Sequence, residues 1–154
     1  EWKTPMEKIK IGTGRKLSSG KDVALLSIGH PGNFAQEAMN ELKSTGVSIA
    51  HYDMRFAKPI DEIILHEVFS KFDKVITIED GCKMGGFGSA VMEFMVDQKY
   101  SAELIRLGIP DEYIHHGTQK ELWADCKYDK DAIISTIKTM VKLTKPNTKK
   151  AARS

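Results

Sequence analysis

Two adjacent carboxylates, Glu79 and Asp80, followed by Gly81, Cys82, Gly85, Gly86 and Gly88, are the residues of this chain best suited to chemistry. Paired carboxylates can divide acid and base roles, because each charge disfavours the other. Successive strand residues point to opposite faces, however, so these two are not expected to share a proton. Capping, or ion pairing with Arg55 or Lys83, suits them better. The glycines supply the left-handed turns and close backbone approach that a phosphate cradle needs. Their spacing is nevertheless not the G-x-G-x-x-G of a dinucleotide site, and no Walker lysine follows. Tight packing of a helix on a sheet, or the approach of a neighbouring subunit, accounts for them without a nucleotide.

The remaining candidates are isolated. His30, between Ile28-Gly29 and Pro31-Gly32, reads as a solvated loop histidine before it reads as a proton carrier. His115 and His116 are neighbours whose side chains diverge, with no third metal ligand in sight. Cys82 lies near an expected helix amino-terminus, which lowers thiol pKa values, but no histidine stands at a fixed spacing from it. Arg55 follows an expected strand, within reach of Asp53, Glu79 or Asp80, and reads as a structural ion pair. Breaking a partly buried pair of that kind costs about 3 kcal/mol. No catalytic constellation is complete, so the chain either binds or forms one piece of a site shared with other domains.

A strand must deliver the acidic pair, and a helix must follow the glycines. Val75 to Ile78 is an apolar, β-branched run, and Phe87, Ala90, Val91, Phe94 and Met95 recur at helical spacing. Upstream, Ile9, Ile11 and Leu17 allow a first strand over residues 10–17, turned by Ser18-Ser19-Gly20-Lys21 so that it runs antiparallel. Val23 to Ile28 is a buried central strand. Asn33 then caps a helix carrying Phe34, Ala35, Ala38, Met39 and Leu42, with Gly46 at its end. A strand over residues 47–53 precedes an amphipathic helix with Ile60, Ile63, Ile64, Val68, Phe69 and Phe72 inward. Residues 102–107 form a further strand. Thr118-Gln119-Lys120-Glu121 is a capping box, and Asp129 caps a last helix bearing Ile133, Ile134, Ile137, Met140 and Val141. Alternating strands and helices predict an α/β fold with helices on both faces of a mostly parallel sheet.

The bulk numbers narrow the function classes. At 154 residues a single domain is expected, with residues 1–8 as a linker, 9–144 folded and 145–154 a disordered basic tail. A net charge of +2 implies neither a nucleic-acid nor a membrane partner. No apolar run approaches the ~20 residues a bilayer span needs. Two distant cysteines without CxxC spacing point to a reducing cytoplasm. A first residue of Glu rather than Met suggests a fragment or processed product.

Three segments together carry a resemblance. They are Asp53-Met54-Arg55-Phe56-Ala57-Lys58-Pro59, then Ile78-Glu79-Asp80-Gly81 with Gly85-Gly86-Phe87-Gly88, then Gly108-Ile109-Pro110-Asp111 running to Gly117-Thr118. They resemble the carboxy-terminal domain of the 1-deoxy-D-xylulose-5-phosphate synthase family, in the transketolase superfamily, from about Ile11 to Leu143. Asp80, where that family often has a second glutamate, and the Cys82-Lys83-Met84 insert are departures. The resemblance implies a three-layer α/β/α domain with a mixed five-stranded sheet, its first strand antiparallel and at an edge. It implies an enzyme condensing pyruvate with glyceraldehyde 3-phosphate, losing carbon dioxide, for isoprenoid and thiamine precursors.

By the same resemblance, thiamine diphosphate and Mg²⁺ sit between two upstream domains, and the whole enzyme is a homodimer. No catalytic, cofactor or metal residue is carried over to this chain, whose implied part is packing on those domains and on a second subunit. The implied strand order opens a crevice at a switch point, with Gly29 to Asn33 and Glu79 to Gly88 as lips. Gly29, His30, Arg55, Glu79, Asp80, Gly85, Gly86 and Gly88 are the candidate interface or anion-crevice residues. Two alternatives stay open: a 2-oxoacid dehydrogenase β subunit, and a free-standing α/β module binding a small anion.

Overall fold

The computed structural model describes residues 7–142. The expected linker over residues 1–8 falls largely outside that range, and the basic tail over 145–154 wholly outside it. Five strands are laid down in chain order: β1 (Arg15–Ser18), β2 (Val23–Ile28), β3 (Ile49–Asp53), β4 (Lys74–Cys82) and β5 (Glu103–Ile109). They pair in the order β1-β3-β2-β4-β5, with β1 antiparallel to β3 and every other pair parallel. Among the described residues there are five α-helices, α1 (Pro31–Leu42), α2 (Glu62–Lys71), α3 (Phe87–Asp97), α4 (Gln119–Asp125) and α5 (Lys130–Lys142), and a single 3-10 turn, Lys43–Thr45.

Period-two alternation divides each strand between two cores. Val23, Leu25, Ile76, Ile78 and Leu107 meet α1 and α5, where Ala35, Ala38, Ile133, Ile137 and Met140 are buried. Ala24, Leu26, Ala50, Tyr52 and Val75 meet α2 and α3 through Leu65, Val68, Phe69, Phe87, Val91 and Phe94. Each large side chain so buried contributes about 2 kcal/mol. The result is the expected α/β/α sandwich. Among the described residues no helix is long and apolar enough to cross a membrane.

Several expected boundaries move, each for a local reason. β1 spans Arg15–Ser18 rather than residues 10–17, because a turn at Lys10 to Thr13 and the left-handed Gly12 (φ 76°) occupy the earlier residues. β3 starts at Ile49, since the Ser48 amide donates to Asp22 Oδ2 at 2.7 Å. α1 begins at Pro31, so Asn33 lies within its first turn and does not cap it. α2 is capped by Asp61, whose Oδ1 accepts from the Ile64 amide (3.0 Å) and Oδ2 from Gly14 (2.8 Å). Ile63, expected in the core, is 83% exposed. The capping box of α4 and the Asp129 cap of α5 form as the sequence predicts. Gly46, at φ 78°, ends the turn after α1.

Candidate functional site

The crossovers reverse direction between β2 and β4, and a crevice of about 910 Å³ opens there at the carboxyl edge. Gly29 and His30 after β2 form one side, the segment from Glu79 to Phe87 the other, and Ala57 with Lys58 a third rim. β4 does not stop at Ile78. It continues to Cys82 after an irregularity in register, and the Lys83 amide donates to Ile109 O at 2.9 Å. The acidic pair therefore lies inside a strand, with Glu79 buried and Asp80 exposed on opposite faces.

Glu79 turns toward the start of α3. Its Oε2 accepts from the Phe87 amide at 2.7 Å, and its Oε1 from the Gly88 amide at 2.8 Å. A carboxylate satisfying two free amides at the positive end of the helix dipole is a strong local cap. Gly86 is required by that cap, because a β-carbon there would run into the Cys82 carbonyl oxygen and the Glu79 carboxylate. Gly85 takes φ 71°, the left-handed region that favours glycine. At Gly88 a β-carbon would sit 2.6 Å from Thr77 Oγ1. The glycine loop is thus shaped by the chain's own contacts.

Asp80 reaches the other way, and its Oδ1 accepts from the Tyr128 hydroxyl at 2.7 Å. Burial, then the hydrogen bond to Asp80 and its charge, push the Tyr128 phenol well above its ordinary range. His30 is not isolated: its ring lies 4.9 Å from both Phe34 and Trp123, which lie 4.7 Å from each other. Trp123 and Tyr128 come from the segment after β5, which reaches His30 and Asp80 of the crevice lining. Sequence reasoning missed both. The only signal was a short, well-capped helix with an aromatic residue on it and another just beyond.

Arg55 is not among the residues lining the crevice. Its Nε lies 3.9 Å from Asp53 Oδ2, an oxygen that Arg15 Nε already holds at 3.0 Å. Its expected partners Glu79 and Asp80 are engaged elsewhere, and its own φ is 57°. His115 and His116 are exposed, and no described residues form a group of three or more His, Cys, Asp or Glu able to grip a metal.

A pair that sequence spacing does not reveal lies beneath α1. Ser27 Oγ and His51 Nε2 are 2.8 Å apart, and both residues are buried. Burial lowers the His51 pKa to about 4, opposed by the Asp53 charge. The arrangement has the distance of a nucleophile and its base but no solvent access. Among the described residues His51 Nδ1 has no hydrogen-bond partner to orient the ring, so the pair is structural.

Comparison with known proteins places these features. The family described as "Transketolase, C-terminal domain" matches residues 12–133. A 1-deoxy-D-xylulose-5-phosphate synthase of Cytophaga hutchinsonii is 58% identical over 139 residues, covering 90% of this chain and 22% of that protein. The synthase of Bacteroides thetaiotaomicron is 52% identical over 134 residues, covering 86% and 21%. A solved structure described as a split gene transketolase, inactive β4 tetramer, superposes with a TM-score of 0.81 at 27% identity, over 89% of this chain and 45% of that one. The chain therefore spans about a fifth of the length of the curated relatives it matches.

Proposed function

Because the chain belongs to the transketolase C-terminal domain family, we propose that it is the carboxy-terminal assembly domain of a 1-deoxy-D-xylulose-5-phosphate synthase. The whole enzyme would condense pyruvate with glyceraldehyde 3-phosphate and release carbon dioxide. The observation that carries this reading is 58% identity over 139 residues to a protein of that name. None of the relatives described above favours a 2-oxoacid dehydrogenase β subunit.

Thiamine diphosphate and Mg²⁺ follow from the family, but the donor set here does not fit them. The amides at the start of α3, the end of that helix that attracts anions, are held by Glu79. The described residues bring no three metal-ligating side chains together. No step of the reaction is assigned to these residues. In this reading residues 9–144 form the folded unit, and its part is to pack on the cofactor-binding remainder of a cytoplasmic homodimer. Gly29, His30 and the loop Gly81 to Gly88 would lie at a domain or subunit contact.

The test is the full-length gene product, supplied with pyruvate, glyceraldehyde 3-phosphate, thiamine diphosphate and Mg²⁺. Carbon dioxide release that depends on both substrates is expected. Calorimetric titration of this chain alone with the cofactor and Mg²⁺ should give no saturable heat. Micromolar binding to the isolated chain would overturn the division of labour.

A further inference from the structure

On one lip of the crevice between β2 and β4, the chain's own acceptors already hold most of the amides that could meet an anion. In the loop before α3 and in its first turn, the Lys83, Gly85, Phe87, Gly88 and Ser89 amides already donate to Ile109 O, Ser89 Oγ, Glu79 Oε2, Glu79 Oε1 and Gly86 O. What faces the opening is acidic. Asp80 has one oxygen, Oδ2, with no hydrogen-bond or ion-pair partner among the described residues, and Glu93 makes no ion pair among them. Among the described residues that line it, Lys58 is the one Lys or Arg. Met84, 66% exposed, lines the same crevice, as do Phe87 and Ala90. A crevice of mixed lining, with Ile28, Ala57 and Met84 as its apolar part and two available carboxylates, complements a positive group carried on an apolar segment.

Curated relatives are between four and five times as long as this chain, so most of such a polypeptide lies outside the domain. We propose that the crevice receives a basic side chain, borne on an apolar segment of the remainder of the full-length polypeptide. This rests on the assembly reading above and names the chemistry of the surface that meets it. An arginine would suit best, since its planar guanidinium pairs with carboxylates and can lie against the His30 ring in the crevice lining. The carboxylates would set the register of docking, and the burial of Met84 would supply its driving force.

The experiment is hydrogen exchange on the full-length protein, followed in peptides spanning Lys83 to Ala90. Protection at low salt is expected, with exchange about tenfold faster in 1 M NaCl, where screening shortens to about 3 Å. Glu93→Lys, an exposed substitution the fold tolerates, should give the fast rate at low salt, and Asp80→Asn an intermediate one. Equal protection in the wild type and both variants would overturn the proposal. So would slowing of exchange by added inorganic phosphate, which would mark an anion site. Protection that rises with protein concentration would assign the crevice to a second copy instead. Synthase activity is read separately: a salt-sensitive loop in a protein without that activity would sink the functional reading and leave the docking chemistry standing.

Discussion

At the scale of single residues, Glu79 and Gly86 act as one device. The carboxylate can reach the Phe87 and Gly88 amides only because position 86 has no β-carbon. Gly86→Ala should push Glu79 off the helix, leave buried donors unpaired and cost about 2 kcal/mol, read as a lower urea midpoint. The loss should be the same whether or not any partner is bound, so a bulky residue at Gly86 cannot serve as a clean probe of an interface. Arg55 is the opposite case. The sequence predicts a loss of about 3 kcal/mol from breaking its pair, but Arg15 also holds Asp53, so no charge is left bare. Arg55→Ala should therefore lower stability by less than about 1 kcal/mol. A larger drop in the urea midpoint would show that the 3.9 Å contact matters more than its geometry allows.

At the scale of elements, α4 is the short helix that carries Trp123 to the rings of His30 and Phe34. No residue of α4 itself is buried, so the helix depends on its cap. Thr118→Ala should fray it and move Trp123 toward water, seen as a red-shifted emission once Trp2 is replaced by Phe. Unchanged emission would mean that the aromatic contact alone holds the helix. Elements of this kind were legible because their signals are local: the capping box at Thr118, the apolar runs of β2 and β4, the helical spacing after Gly86. The continuation of β4 through Gly81 was not. It depends on Gly108 of β5, where a β-carbon would stand 2.8 Å from Gly81 O, and that contact joins residues far apart in the chain. The same reason hid Tyr128 from Asp80 and His51 from Ser27. Side-chain partners across crossovers leave no mark in spacing.

At the scale of the whole molecule, the buried His51 ties stability to pH. Its pKa in the fold is about 4 against an ordinary 6.5, so the unfolded chain binds the extra proton first. Stability should be complete above pH 6.5 and fall as pH drops toward 4, by about 3 kcal/mol from this group. Urea midpoints between pH 7 and 4 should show that acid limb, and His51→Gln should flatten it. An equal slope in both proteins would place the acid sensitivity elsewhere. The strand order has a different consequence, one of timing. β2 with β3, and β4 with β5, are each joined by a single crossover and can form as separate βαβ units. Among the strand pairings, the β2–β4 ladder and the antiparallel edge strand are the two that join chain segments outside those units. Closing such loops is the slow part of assembly for a sheet of this kind. The crevice lies on the line where the two units meet, so it comes into being with the last large step of folding. Whatever fills it clamps that line, and should slow the unfolding of the domain more than it speeds its folding.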